Sequence, residues 1–385
     1  MVALAQELID AIIDQVGARN WDGPMDYATL AACSLAAHAF RATSQRYLFH
    51  SVTVKDDRAA GLLQLFTGSP HLALHVRDIH LNIKTGLDSQ TCPELATLLR
   101  LFREVQRLTF DPSPRPWRWN RYTVDLRDAL LSLFSQPTLR SAAVLNCYNV
   151  PSSIVRRLLM SLAEVALHEV YTISSAPDQL CQELDGLAPV ILDHLYVGYE
   201  KLREVSVALP LICSAEIEQR LEPLRCLSLF STSALGPISG KATHPLEHLS
   251  ITFDFTEIPI TLPDLPRLRT LTLRSYSYRA DMSISALAVL RSLPNCAPRL
   301  ERMNYIIMEP VFDFADHELD LPGVDAALRL LPRLARLHFS ADTAFNLESC
   351  MRRTFPRASD AGVLTFSTRE RSDILEDHPM RFFIN

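Results

Sequence analysis

The sequence of 385 residues predicts an α/β protein, in which a small helical N-terminal domain precedes a curved α/β solenoid with a parallel sheet. Three observations lead to this prediction. The first helix has a broad apolar stripe, a short apolar pattern recurs ten times after residue 75, and prolines precede most of these recurrences. The length itself favours two domains or a repeat array over one compact core.

The composition excludes several classes of protein. Apolar residues make up 48% of the chain and charged residues 21%, which is typical of a globular protein and not of a disordered one. The net charge of -6 argues against a protein that holds nucleic acid mainly through its phosphates. The 11 glycines are few for the loops that cradle phosphates or dinucleotides.

Cysteine usage and the N-terminus predict an intracellular location. The 8 cysteines are scattered and include no CxxC pair. The first residues lack the basic segment of a secretory signal and soon reach Glu7 and Asp10. No apolar run reaches the ~18 residues that a membrane span requires. We therefore expect a protein of the cytoplasm, the nucleus or both, with free thiols and no membrane partner.

The first fifty residues are predicted to form three short helices. Residues 4–16 carry one apolar stripe, Thr29 can cap a second helix, and a third helix holds Phe40 and Tyr47. The polar stretch 17–26 is predicted to be a loop because it contains Gly-Pro. Three short helices bury little surface alone, so they need the following domain or a partner.

This segment resembles an F-box, and most of all the F-box-like proteins expanded in fungi. The residues that carry the resemblance are 4–16, then 30–41 (LAACSLAAHAFR), then 47–49 (YLF). Ala5 stands where the family usually has proline, and Phe40 where it usually has tryptophan. The resemblance implies binding to a Skp-type adaptor, and through it to a cullin–RING ligase. The matching adaptor-binding positions are Leu4, Ala5, Leu8, Ile12, Leu35 and Phe40.

The rest of the chain is predicted to be a repeat array. An apolar residue, two variable residues, an apolar residue, one variable residue and an apolar residue recur at a mean spacing of about 29 residues, near the upper end of the leucine-rich-repeat range. Proline lies one to three residues before seven of the ten starts, as a change from helix to strand requires. The starts are Val76, Val105, Leu139, Leu162, Leu192, Leu224, Leu246, Leu268, Leu300 and Leu334.

Helices are predicted between the strands, because leucines lie three or four residues apart there. The predicted helices are 93–102, 154–162, 178–187, 283–293 and 323–331. The array matches the leucine-rich-repeat class of F-box protein. The predicted organisation is an F-box-like domain over 1–50, a connecting segment over 51–70, an irregular leucine-rich-repeat solenoid over 71–370 and a tail over 371–385.

A search for catalytic and metal motifs finds little. The sequence has no GxSxG, no HExxH and no P-loop. His71 and His75 lie four residues apart and His80 follows, but residues 76–81 are predicted to be a strand, which breaks the helical alignment that a metal site would use. The acidic residues between 313 and 320 have no spacing that acid–base catalysis requires. We therefore expect no enzyme, no cofactor and no metal.

Strand alternation predicts which side chains form the open face of the sheet. If positions one, four and six of each repeat are buried, positions three, five and seven point to the other side. Aromatic and arginine side chains carry much of the energy of protein interfaces, ~2 kcal/mol or more each when well buried. The candidate substrate-binding residues on this face are His168, His194, Tyr196, Phe230, Arg274, Arg302 and Arg336.

A second candidate surface is the loop 111–122. It places Trp117 and Trp119 among arginines, an arrangement that can stack on bases or serve as a protein epitope. The acidic net charge favours the protein epitope. The alternative is a loop that folds its tryptophans over the open end of the sheet.

The resemblance implies the substrate-recognition subunit of a Skp–cullin–F-box type ubiquitin ligase, which would bind an unknown protein substrate on the repeat array. Three alternatives stay open on the sequence. One is a leucine-rich-repeat interaction scaffold with an F-box-like cap and no ubiquitin role. The others are an unrecognised hydrolase and an RNA-binding receptor that uses the loop containing Trp117 and Trp119.

Overall fold

The structure, a computed structural model, has an α/β architecture in two compact units, residues 1–149 and 150–385. The residues it describes are 5–17, 26–83, 93–112, 117–173, 190–198, 211–212, 214–230, 245–253, 262–275, 284–307, 322–341, 348, 352 and 355–368. The predicted α/β class and the parallel pairing of the strands are confirmed.

The first unit begins with three helices, α1 (Gln6–Gly17), α2 (Tyr27–Ala36) and α3 (His38–Leu48). The three predicted helices are therefore present. The predicted cap of α2 at Thr29 is wrong, because the helix begins two residues earlier. Asp26 is the cap and accepts a hydrogen bond from the Thr29 backbone N–H at 2.9 Å. The Thr29 hydroxyl donates to the same carboxylate at 2.6 Å, so it supports the cap instead of forming it.

These helices share a small core and a polar seam. Ile9, Ile13 and Leu30 are buried between them. Along the seam between α1 and α3, the Tyr47 hydroxyl donates to Asp14 at 2.9 Å. Gly17 ends α1 against the Tyr47 ring, and a Cβ there would lie 2.5 Å from the ring's Cγ. The contact between α1 and α3 therefore depends on a glycine at that position.

The first unit continues with four parallel strands in the order β1-β2-β3-β5, while β4 pairs with β5. The ladder begins at β1, which lies in the segment 51–70 predicted only to connect, and β1 pairs in register with β2 from Ser51 to Lys55. The elements of this part are β1 (Ser51–Lys55), a 3-10 turn (Asp56–Arg58), α4 (Ala59–Gly68), α5 (Pro70–Ala73), β2 (Asp78–Asn82), α6 (Pro93–Leu101), β3 (Arg107–Asp111), β4 (Trp117–Arg118), a 3-10 turn (Trp119–Arg121), α7 (Val124–Phe134) and β5 (Ser141–Pro151).

The second unit carries parallel strands paired in chain order from β6 to β13. Its elements are α8 (Ser152–Ser161), β6 (Glu164–Ile173), β7 (His194–Gly198), α9 (Ala215–Leu221), β8 (Cys226–Phe230), β9 (His248–Phe253), β10 (Thr270–Ser275), α10 (Ile284–Cys296), β11 (Arg302–Ile307), α11 (Pro322–Leu328), β12 (Arg336–Ala341), α12 (Pro356–Asp360) and β13 (Leu364–Thr368).

All ten predicted strands are present. In the registers given for β2–β3–β5 and for β6 to β12, position four of each repeat pairs with position four of the next, as Leu227 does with Leu249 and Leu249 with Leu271. These three leucines are buried. The pattern predicts register because the side chains of a strand alternate between its two faces, so only one alignment buries every apolar position.

Four of the five predicted helices are confirmed as α6, α8, α10 and α11, with ends that differ by a few residues. The predicted helix 178–187 lies outside the described residues. Among the helices of the described ranges, none combines the length and the apolar character needed to cross a membrane.

Candidate functional site

The N-terminal helices present large apolar side chains to solvent. Leu8 is 56% exposed, Ile12 51% and Leu35 84%. Leu8 and Ile12 lie one turn apart and therefore share a face of α1. Ile9 and Ile13, the next pair along the same helix, are buried. Helix α1 thus has a buried apolar pair and, beside it, an exposed one.

The other predicted adaptor-binding positions differ in accessibility. Ala5 is exposed just before α1, and Phe40 is half-buried in α3. Leu4 lies outside the described residues. Three of the predicted positions therefore combine a large apolar side chain with high exposure, and these are Leu8, Ile12 and Leu35.

A cavity of ≈ 560 Å³ lies on the sheet of the second unit, over β6 to β11. It is on the face that the sequence predicts to be open, because most of its lining comes from positions three, five and seven of the repeats, while Leu195, Leu227 and Leu249 of position four complete it. Position three contributes Glu164, His194, Cys226, His248 and Thr270. Position five contributes Tyr196, Ser228, Ser250, Thr272 and Asn304, and position seven contributes Arg274 and Ile306.

Hydrogen bonds organise the polar floor of this cavity. Arg274, only 5% exposed, donates through Nη1 to the Ser250 hydroxyl at 2.8 Å. The Asn304 side-chain amide donates to the Thr272 hydroxyl at 3.4 Å. The register explains these contacts, since Ser250, Thr272 and Asn304 are aligned on three neighbouring strands.

Titratable groups line the other end of the cavity. Burial lowers the pKa of His248 against an opposing effect of Glu247, and the positive charge of Arg302 lowers it further. Its imidazole is therefore neutral at pH 7. Burial raises the pKa of the Cys226 thiol to about 12, so the thiol stays protonated. His194 Nδ1 lies 3.2 Å from Asp193 Oδ2.

Tyr196 and His168 meet beside Gly198. The Tyr196 hydroxyl lies 3.1 Å from His168 Nδ1, and the tyrosine is only 3% exposed. A Cβ on Gly198 would lie 2.3 Å from His168 Nδ1 and 2.5 Å from the tyrosine oxygen. The glycine therefore makes room for the contact between these two side chains.

The predicted substrate-binding residues occupy different places. His194, Tyr196 and Arg274 line the cavity, and His168 contacts it through Tyr196. Arg302 and Arg336 are exposed at position three of β11 and β12. Tyr196 and Arg274, although on the predicted open face, are buried because neighbouring side chains on that face pack around them.

Of the predicted residues Trp117, Trp119 and Phe230, the structure describes only the side chain of Trp119. Trp119 is only 4% exposed, and its ring lies 6.1 Å from that of Tyr122. The Trp119 side chain is therefore buried and is not presented to solvent as an epitope. The side chains of Trp117 and Phe230 lie outside the described part of the chain.

Sequence reasoning missed the polar row at position five. Ser228, Ser250, Thr272 and Asn304 are unremarkable one by one in the sequence. Their signal is that hydroxyl or amide side chains hold the same repeat position in four consecutive strands. Because the strands pair in register, these four side chains lie side by side and form a continuous polar row on the cavity's surface.

Within the described ranges, no group of three or more His, Cys, Asp or Glu side chains is arranged to hold a metal ion. No protein-family model matches the sequence, and no curated protein is significantly similar to it.

Proposed function

We propose that this chain is the substrate-recognition subunit of a Skp–cullin–F-box type ubiquitin ligase. Helices α1 to α3 form the F-box-like domain that binds the adaptor, and the later strands and helices form an irregular leucine-rich-repeat solenoid that binds a protein substrate. The observation that carries the proposal is the exposure of Leu8, Ile12 and Leu35 at positions that the F-box resemblance assigns to the adaptor.

The energetic argument concerns unburied apolar surface. Burying a leucine or isoleucine side chain fully contributes about 1.5–3 kcal/mol. Single exposed apolar residues are normal in proteins and need no partner. Here, however, the exposed residues coincide with positions chosen for a different reason, the resemblance to a known adaptor-binding domain. That coincidence favours a partner over chance exposure.

The repeat array supplies the second half of the proposed function. Parallel strands in constant register present one continuous row of side chains for each repeat position, which suits the recognition of a protein segment. Arg302 and Arg336 are exposed on this face. The chain does no chemistry in this proposal and contributes proximity between the substrate and the ligase.

The alternative is an interaction scaffold with an F-box-like cap and no role in ubiquitin transfer. Ala5 and Phe40 favour this alternative, because they replace a proline and a tryptophan at contact positions, and Phe40 is half-buried. The two functions differ in one property, binding to the adaptor.

The test is co-expression of the full chain with a Skp adaptor, followed by co-elution from a sizing column. We expect the wild-type chain to co-elute and the variants Leu8→Asp and Leu35→Asp to lose the adaptor, because each places an unpaired charge in an apolar contact. Leu74→Asp is the matched control, since Leu74 is 53% exposed and lies outside α1 to α3. It should co-elute like the wild type.

Circular dichroism must be unchanged in all three variants for the comparison to count. A folded wild-type chain that does not co-elute would refute the ligase proposal and leave the scaffold. Loss of co-elution in Leu74→Asp as well would show that a general effect of charge, and not the side chains of Leu8 and Leu35, controls binding.

A further inference from the structure

We propose that the cavity over β6 to β11 binds a small organic anion whose carboxylate or phosphate oxygens face Arg274. The cavity volume of ≈ 560 Å³ lies within the range of roughly 300–1,000 Å³ that is usual for small-molecule sites. Most of its described lining residues carry polar side chains, and its aliphatic residues are Leu195, Leu227, Leu249 and Ile306. Convergent polar groups of this kind fix the orientation of a bound ligand. The proposal does not depend on adaptor binding.

The first argument is the position of Arg274. Its guanidinium is permanently charged and carries five N–H donors in a planar fork that matches the geometry of carboxylates and phosphates. Arg274 lines the cavity and is only 5% exposed, so its charge is largely removed from solvent. An oxyanion in the cavity would interact with this charge more strongly than with one on the open surface.

The second argument is the orientation of two hydroxyls. Ser250 accepts a hydrogen bond from Arg274, and Thr272 accepts one from Asn304. A hydroxyl has a single hydrogen, and when its oxygen accepts from one side the hydrogen is directed elsewhere. Both side chains line the cavity. They can therefore add two neutral donors beside the charged one, as a bound oxyanion requires.

The third argument is the distribution of charge along the sheet face. Among the described lining residues, the arginine is Arg274, on β10. The cavity's carboxylate, Glu164, lies on β6, four strands from β10, or roughly 19 Å at ~4.8 Å per strand. This separation places the anionic end of a ligand at β10 and disfavours the reverse orientation.

A small ligand fits these observations better than a nucleic acid. Polynucleotides are held mainly by exposed lysine and arginine on a basic surface, and the chain has a net charge of -6. The guanidinium that lines the cavity is buried, where a polymer backbone has less access than a small molecule.

The test is isothermal titration of the full-length chain, without the adaptor, using inorganic phosphate and succinate as probes. Chloride keeps the ionic strength constant. We expect a saturable one-to-one isotherm with at least one probe, and the probe that binds identifies the phosphate or the carboxylate as the favoured group. Arg274→Gln should weaken that binding at least tenfold. The matched control Arg302→Gln removes an exposed charge near the cavity and should change the affinity by less than about twofold.

Thr272→Val is a second variant that keeps the shape of the side chain and removes one donor. It should weaken binding several-fold, and it decides the question if circular dichroism shows Arg274→Gln to be unfolded. Three results would overturn the proposal: no saturation with either probe, equal losses in Arg274→Gln and Arg302→Gln, or an RNA oligonucleotide that binds more tightly than both probes and is weakened by Arg302→Gln. The last result would assign the face to nucleic acid.

Discussion

Gly198 shows how a single missing side chain can determine a contact in the sheet. The space beside it is filled by His168 and Tyr196, and an added Cβ would come within 2.5 Å of both. We expect Gly198→Ala to lower the free energy of unfolding by about 1–3 kcal/mol, because overpacking of a filled site costs that much. Chemical denaturation measures the change.

The control for this variant is Gly61→Ala. Gly61 lies in α4 with no atom within 4 Å of an added Cβ, so alanine should stabilise the protein by about 0.5–1 kcal/mol through helix propensity. If Gly198→Ala were as harmless as this control, the packing of His168 against Tyr196 would be looser than the structure indicates.

The raised pKa of Asp56 predicts that the free energy of unfolding decreases as the pH rises from about 4 to about 6. Burial, with a smaller contribution from Asp57, raises the pKa of Asp56 from 3.8 to about 6 in the folded chain. The folded state therefore takes up this proton more readily than the unfolded state. The stabilisation that results is complete below pH 3.8 and is lost as the pH rises through 6.

Comparison with Asp56→Asn isolates this effect. Between pH 4 and pH 6, the wild-type chain should lose stability relative to the variant as the pH rises, and the difference should be constant above pH 7. Asp57→Asn should shift the midpoint to lower pH, because the neighbouring charge that raises the Asp56 pKa is removed. A stability difference that does not change across this window would contradict the raised pKa.

Among the secondary-structure elements, the last strands depend on one aromatic cluster. Phe339 in β12 is 1% exposed, and its ring centroid lies 5.8 Å from Tyr305, 5.4 Å from Phe355 and 6.2 Å from Phe366. We expect Phe339→Ala to lower the free energy of unfolding by about 3–5 kcal/mol, since a cavity would form where three elements meet.

Amide hydrogen exchange shows which strands are destabilised by Phe339→Ala. Amides of β11 to β13 should exchange faster in Phe339→Ala, because their shared packing is removed. The control is Leu330→Ala, which changes a side chain that is 70% exposed and should alter stability by less than about 0.5 kcal/mol. Equal effects of the two substitutions would mean that the aromatic cluster does not anchor these strands.

The elements also show what the sequence can predict. Ten strands and their register follow from the repeated apolar spacing, because burial of one face leaves a single acceptable alignment. Strand β1 has the same spacing at Phe49, Val52 and Val54, but Phe49 also suits the end of a helix, so the spacing alone does not assign this strand to the array. Strand β13 would begin its repeat at Ala361, which is small and exposed.

The candidate site was predictable only in part for a related reason. Alternation identifies the face on which His194, Tyr196 and Arg274 lie. It does not give the depth of each side chain, which depends on its neighbours across the strands. Arg274 is buried because Ser250 and Ile306 lie beside it on adjacent strands, a relation between residues 24 and 32 positions away.

At the scale of the whole molecule, the proposed ligase function predicts where the chain can itself be ubiquitinated. The sequence contains four lysines: Lys55, Lys84, Lys201 and Lys241. Lys55 lies in β1, and the other three lie outside the described residues. None is a predicted adaptor-binding position. Replacing all four by arginine keeps the net charge, so adaptor binding should be unaffected.

In a ligase reconstituted with the adaptor, cullin, conjugating enzyme and ubiquitin, the wild-type chain should acquire ubiquitin and the variant with four arginines should not, while both co-elute with the adaptor. A substrate receptor is held close to the conjugating enzyme, so its own lysines compete with those of a substrate. A scaffold outside the ligase would stay unmodified in both forms. Modification of the variant would place ubiquitin on a group other than lysine side chains, and loss of its co-elution would show that a lysine supports the adaptor surface.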